Sequence, residues 1–209
     1  MGALGKNTTK QMTEYKHEPR TADLACVVNI KPIDKCNLVI RSIIEKQRDI
    51  GYSWEAANLY HAIPVLDWKK GIHINTSGTS IVNDILEKYP NINVYRHKTL
   101  IGESFEKSML RNKIVAALIG RLGLVQYSFW GIMRLKAAWL INPIEKILLL
   151  FFDINYSRLQ FCSEFWIRAA RLFTQVCTRL SAEEFLPATP HDSGEFILVA
   201  KYRDGKRIK

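Results

Sequence analysis

The run Gly71-Ile72-His73-Ile74-Asn75-Thr76-Ser77-Gly78-Thr79-Ser80-Ile81-Val82-Asn83-Asp84-Ile85-Leu86 constrains this chain more than any other stretch. Residues 72–75 read as an apolar strand, 76–80 as a short Ser/Gly/Thr turn, and 81–88 as an amphipathic helix stopped near Pro90. A strand, a tight turn and a helix in that order aim backbone N–H groups and hydroxyls at one spot above a helix N-terminus. Unpaired N–H groups and the helix dipole both favour an anion there, such as a phosphate or sulfate group. The same residues also read as a Ser/Thr-rich N-cap that only starts a helix.

The rest of the chain reads as alternating strands and helices. Residues 24–30 form a short buried strand ended by Pro32. Residues 38–48 have helical spacing, with Ile40, Ile43 and Ile44 on one face. Ser53 is an N-cap for a helix over 53–63, with Glu55 in its first turn. Residues 92–95 are a strand, and 105–122 and 127–141 are helices. Residues 146–152 are apolar at nearly every position, as a central parallel strand should be. A long helix over 161–180 and a strand over 195–202 complete the order. Alternation of this kind predicts an α/β fold: a parallel sheet flanked by helices in three P-loop-like layers. Ligands in such sheets sit beyond the carboxyl ends of the strands, where the 76–80 turn lies. Residues 1–22 read as a disordered basic and polar arm, and 23–209 as a single α/β domain.

Charge bounds the partners. The 209 residues carry 30 Lys and Arg against 20 Asp and Glu, a net +10. That excess points to an anionic partner: a nucleotide, a nucleic acid, an acidic glycan or a lipid headgroup. No nucleic-acid motif stands out, and the basic tail over 201–209 reads as a solvated terminus. The four cysteines, Cys26, Cys36, Cys162 and Cys177, form no CxxC pair and read as buried small hydrophobes, with no zinc site. The polar N-terminus lacks an apolar signal region, so the expected location is cytoplasmic. Charges or Pro143 interrupt the apolar stretches 114–133 and 137–152, short of the roughly 20 clean apolar residues that a span needs. Contact with a membrane surface stays open.

Three segments together resemble the sulfotransferase family. Ser77-Gly78-Thr79-Ser80, followed by Ile85-Leu86, Pro90 and Ile92, is similar to its nucleotide-binding loop and helix. Pro143-Ile144-Glu145-Lys146-Ile147-Leu148-Leu149-Leu150-Phe151-Phe152-Asp153 resembles its second signature, and Ala200-Lys201-Tyr202-Arg203-Asp204 a later stretch. The resemblance implies a donor, 3′-phosphoadenosine 5′-phosphosulfate, held by Thr76, Ser77, Gly78, Thr79 and Ser80. Asp153, Ser157 and Arg158 would lie at the second signature. Thr76 and Phe152 stand where the family carries cations, which leaves Arg96, Lys98 or Arg158 to meet the phosphates. Gly78, without a Cβ, would let the backbone approach the phosphosulfate.

Sulfuryl transfer to a hydroxyl or amine acceptor needs a base. His97, after the 92–95 strand, is the first candidate and Glu103 the second. His97 also reads as an exposed histidine in the basic run Arg96-His97-Lys98. Trp130, Trp139 and Trp166 read as core. Three other readings stand beside the sulfotransferase. Ile40-Arg41-Ser42-Ile43-Ile44-Glu45-Lys46-Gln47 and the 75–90 segment resemble a family 2-like glycosyltransferase using a nucleotide-sugar. A methyltransferase-like domain and a non-enzymatic basic subunit of a larger assembly are the others.

Overall fold

The computed structural model of the chain describes residues 18–75, 78–124, 126–127, 159–160, 162–182 and 184–209. Leu24-Ala25-Cys26-Val27-Val28 is apolar at every position, and such a strand must be covered on both faces. That strand, β1 (Leu24–Val28), lies in the middle of a seven-stranded sheet. On one side stand β2 (Leu59–Asp67), β3 (Lys70–Asn75) and β4 (Gly78–Val82). On the other stand β5 (Ile92–His97), β8 (Phe196–Arg203) and β9 (Lys206–Arg207). The order is β4-β3-β2-β1-β5-β8-β9, and every neighbouring pair is antiparallel.

This overturns the parallel, P-loop-like sheet expected from the sequence. Parallel pairing is confined, among the described residues, to the small β6 (Gln126–Tyr127) and β7 (Leu159–Gln160) pair. Short connections decide the matter. Trp68 and Lys69 alone join β2 to β3, with Lys69 at φ 79°, and positions 76 and 77 alone join β3 to β4. Two-residue links close only antiparallel hairpins; a parallel crossover needs a dozen residues or more. Neither turn carries the Asn-Gly or Asp-Gly signal that would have announced it.

The helix expected over 81–88 is displaced in the same way. Thr79, Ser80, Ile81 and Val82 extend as strand, as a run rich in β-branched residues favours. Helix resumes only at α3 (Ile85–Lys88), where the Asp84 side chain accepts from the N–H groups of Leu86 at 2.9 Å and Glu87 at 3.2 Å. Ser53 does cap a helix, but α2 (Trp54–Ala57) ends after one turn and β2 begins at Leu59. Pro64, which a helix interior would reject, then sits inside that strand. The helices expected over 38–48 and 105–122 appear as α1 (Leu38–Asp49) and α4 (Phe105–Gly120). The long 161–180 helix is shorter, as α5 (Cys162–Ala170). Beyond it the Arg171 side chain donates to the carbonyls of Val176, Cys177 and Leu180 at 3.0, 2.6 and 2.7 Å and folds the chain back. A last turn, α6 (Thr189–Asp192), precedes β8. The helix expected over 127–141 (Tyr127 aside) and the strand over 146–152 lie outside the described residues.

Alternation along β1 builds two cores. Leu24 and Cys26 join Ala62, Ile72, Ile74, Ile114, Leu118, Phe165, Trp166 and Phe196 on the face that α4 and α5 cover. Ala25 and Val27 join Ile63, Val65, Ile85, Ile92 and Val94 on the other. Trp166 is buried as expected, and its Nε1–H donates to the Ala22 carbonyl at 2.9 Å. Ala22, assigned to the arm by its sequence, is itself fully buried. Gly71 is required by close approach: a Cβ there would lie 2.6 Å from Ile63 Cγ2 and 2.9 Å from the Pro64 carbonyl oxygen.

Candidate active site

The expected donor loop has no helix behind it. Gly78, Thr79 and Ser80 belong to β4 and pair with Asn75, Ile74 and His73. Gly78 is needed for its left-handed backbone, φ 119°, at the hairpin exit. Thr79 Oγ1 already accepts the Gly123 N–H at 2.9 Å. The anion site argued for 3′-phosphoadenosine 5′-phosphosulfate therefore loses its physical basis, because strand pairing takes the place of the helix N-terminus. Thr76, Ser77, Asp153, Ser157 and Arg158 lie outside the described residues, as do Trp130 and Trp139.

The expected bases are elsewhere. His97 ends β5, four strand spacings from β4, or about 19 Å. It is buried rather than exposed, with Nδ1 against Thr99 Oγ1 at 2.8 Å and Nε2 against Glu195 Oε2 at 3.2 Å. Burial lowers its pKa, and the Glu195 carboxylate opposes that shift. Glu103 is exposed and pairs with Arg20. Arg96 is consumed in a buried, two-pronged ion pair with Asp23, both contacts at 2.8 Å. Nothing brings these groups to the 78–80 hairpin.

A different set of residues converges where β2 starts. His61 on β2 and His73 on β3 are both buried, their rings edge-to-face with centroids 4.9 Å apart. The Tyr89 ring lies 5.8 Å from each, and its hydroxyl meets His73 Nε2 at 2.8 Å. Lys88 Nζ meets His73 Nδ1 at 3.3 Å. An ammonium only donates and a neutral imidazole carries one N–H, so Nδ1 accepts from Lys88 and Nε2–H donates to Tyr89. The Tyr89 proton is then free to point onward.

Both imidazoles are held neutral. Burial lowers His61 to about 3, helped by His73 and Lys88. Burial and then Lys88 lower His73 to about 4. His61 Nε2 is buried with no hydrogen-bond partner among the described residues. A buried polar atom left unpaired is uncommon and calls for an explanation.

One residue further along β2, the Ala62 N–H donates to the sulfur of Cys162 at 3.4 Å. Cys162 opens α5 and is 3% exposed. Burial pushes its thiol up to about 11, while the N–H groups of Ala62, Ser163 and Cys162 itself pull the other way. The Ser163 and Cys162 donors are amides of a helix start, the Ala62 donor belongs to β2, and all three favour negative charge. The pairing of β1 with β2 slips at this point: Val27 faces His61, Val28 faces Leu59, and Tyr60 is the extra residue. Such a bulge re-aims side chains and is common beside active sites. Tyr89, in contact with both histidine rings, has its hydroxyl raised to about 12 by burial and then by Tyr60 and Cys162.

Sequence reasoning passed over His61, His73, Tyr89 and Cys162. Their signal was two histidines twelve residues apart across a hairpin, with a cysteine just ahead of a helix. Among the described residues no cluster of three or more His, Cys, Asp or Glu is arranged to hold a metal. No described helix is long and apolar enough to cross a membrane. Comparison with family models, curated proteins and solved structures finds no match, so the functional reading rests on this geometry.

Proposed function

We propose that the protein is a cysteine-dependent acyl-transfer enzyme, with Cys162 as nucleophile and His61 as its base. The observation that carries this reading is the unpaired, buried Nε2 of His61 one residue from the amide that touches the Cys162 sulfur. A thiol at a helix start, touched by the amide of the residue after His61, and a neutral imidazole supply the two groups that nucleophilic catalysis needs. The resting pair is thiol and imidazole rather than thiolate and imidazolium, so proton transfer accompanies attack on the substrate. His61 takes the thiol proton as sulfur bonds to the acyl carbon. Amides at the start of α5 stabilise the developing oxyanion. His61 returns the proton to the leaving group, which departs and leaves a thioester on Cys162. Water or a second nucleophile then releases the acyl group. His73, fixed by Lys88 and Tyr89, supports the His61 ring.

The surroundings favour an apolar acyl donor. α4, which packs against α5, exposes Phe105, Met109, Ala116 and Ile119 at helical spacing, with Phe105 77% exposed. Leu172 and Phe173, just past α5, are exposed as well. Apolar residues displayed on α4 and just past the end of α5, in a chain of net +10, suit a donor met at an anionic lipid surface.

The test is covalent. The full chain is mixed with p-nitrophenyl esters of short and long fatty acids, and p-nitrophenol release and intact mass are followed. One acyl adduct on Cys162, lost in Cys162→Ala and His61→Ala, supports the reading. Ester cleavage that survives both substitutions, or no cleavage by the folded wild type, overturns it.

A further inference from the structure

A second site lies at the opposite end of β2. His61 and Asp67 are six residues apart on that strand, about 20 Å at the rise of an extended chain. Beyond Asp67 a cavity of about 400 Å³ is lined by Pro19, Arg20, Thr21, Asp67, Trp68, Glu103, Ser108, Arg111 and Asn112. That volume falls within the range of small-ligand sites.

Arg111 anchors the cavity. The residue is only 7% exposed, and its Nη1 donates to the carbonyls of Leu100 at 3.0 Å and Gly102 at 3.1 Å. Nε and Nη2 have no partner among the described residues, and no described carboxylate lies in ion-pair range of the guanidinium. The nearby carboxylates are committed: Asp23 to Arg96 and Glu103 to Arg20. Burial, then Arg96 and Arg20, act against the Arg111 charge, while Asp23 and Glu103 act for it. A nearly buried guanidinium with no described carboxylate in direct contact, lining a cavity, is a place for an oxyanion. The hydroxyl of Ser108 and the amide of Asn112 add hydrogen-bonding groups to the same wall. Asp67 would repel a plain anion, yet with the Trp68 indole it suits an ammonium group.

We infer that this cavity binds a small zwitterion, in which a phosphoryl or carboxylate group meets Arg111 and a neighbouring ammonium meets Asp67 and Trp68. The site is separate from the thiol and stands or falls without it.

Calorimetric titration of the full chain with O-phosphoethanolamine, ethyl phosphate and inorganic phosphate tests the assignment. O-phosphoethanolamine should bind at least about tenfold tighter than ethyl phosphate, because only it satisfies both signs of charge. Asp67→Asn should erase that preference while retaining ethyl phosphate binding. Arg111→Gln should lose both ligands; because that substitution also removes two backbone contacts, the wild-type preference and Asp67→Asn decide independently of its folding. Vesicles carrying an ethanolamine phosphate headgroup identify the source: displacement of the bound zwitterion assigns the site to a headgroup, and no displacement assigns it to the free compound. Equal affinity for O-phosphoethanolamine and ethyl phosphate, or no binding of either at millimolar concentration, overturns the inference.

Discussion

Two buried histidines in this sheet have opposite fates. His97 at the end of β5 has both ring nitrogens occupied, by Thr99 and Glu195, and packs edge-on against Phe196 with centroids 5.0 Å apart. Glu195 in turn accepts the Cys177 N–H at 2.7 Å, so the ring is one link in a closed chain of contacts. His61 on β2 has a buried nitrogen with no described partner, and the amide of the following residue touches a sulfur at a helix start. Desolvation is the first cause of the lowered pKa in both, but only His97 has a carboxylate pulling back. A satisfied imidazole has nothing left to give a reacting group. An unsatisfied one carries a desolvation cost that structure alone does not return, and catalysis is the use that fits the neighbouring thiol.

Substitution at the two positions gives the widest separation. His61→Ala should lower the rate of acyl-enzyme formation about a thousandfold, the middle of the range for general-base catalysis. His97→Ala should leave that rate within about threefold and lower stability by about 2 kcal/mol through lost hydrogen bonds and packing. Stopped-flow release of p-nitrophenol and urea unfolding of both variants measure the two effects. Equal losses of rate would erase the distinction between the rings.

Acid should single out the His61–His73 pair. An unfolded histidine takes up a proton near pH 6.5, whereas these rings in the folded protein wait until about 3 and about 4. Between pH 6.5 and those values the unfolded chain binds more protons, so stability falls as pH falls and is complete above pH 7. By pH 5 the loss is about 2 kcal/mol for each ring. A His61→Gln, His73→Gln double variant should flatten the slope between pH 7 and 5. Urea midpoints at pH 7.5, 6 and 5 supply the measurement, and a wild type with no slope contradicts the neutral pair.

Much of the fold was legible locally, whereas its pairing was not. Helix α1 was legible through its spacing and α4 as a helical run, whereas their caps emerge from the structure: Asn37 and Ser104 accept from the N–H groups of Ile40 at 2.9 Å and Lys107 at 3.3 Å. The strands at 24–28, 70–75, 92–97 and 196–203 were visible as apolar runs. Direction depended on two short connections, the Trp68-Lys69 turn and the two positions between β3 and β4, whose residues carry no strong hairpin signal. Missing them turned an antiparallel meander into an apparent parallel sheet, because a strand followed by a short helix looks alike in both. The site failed with it. His73 sat in plain view inside the most informative run, but its partner His61 was assigned to a helix and Cys162 to the core. The core assignment is correct as far as burial goes. Only tertiary pairing shows that an Ala62 amide touches that sulfur.

Tyr89 supplies the finest test of the contrast, because its hydroxyl touches only the His73 side of the pair. Lys88 already fixes the His73 tautomer through Nδ1, so Tyr89→Phe should not reverse the ring. It leaves His73 Nε2–H without its acceptor, a cost of about 1 kcal/mol in stability. If His73 steadies His61 during proton transfer, kcat for a p-nitrophenyl ester should also fall about tenfold with KM unchanged, the pattern of an interaction made in the transition state. A stability loss with kcat intact would place Tyr89 and His73 on the His97 side of the comparison, as satisfied core groups, and would leave His61 to act on Cys162 alone.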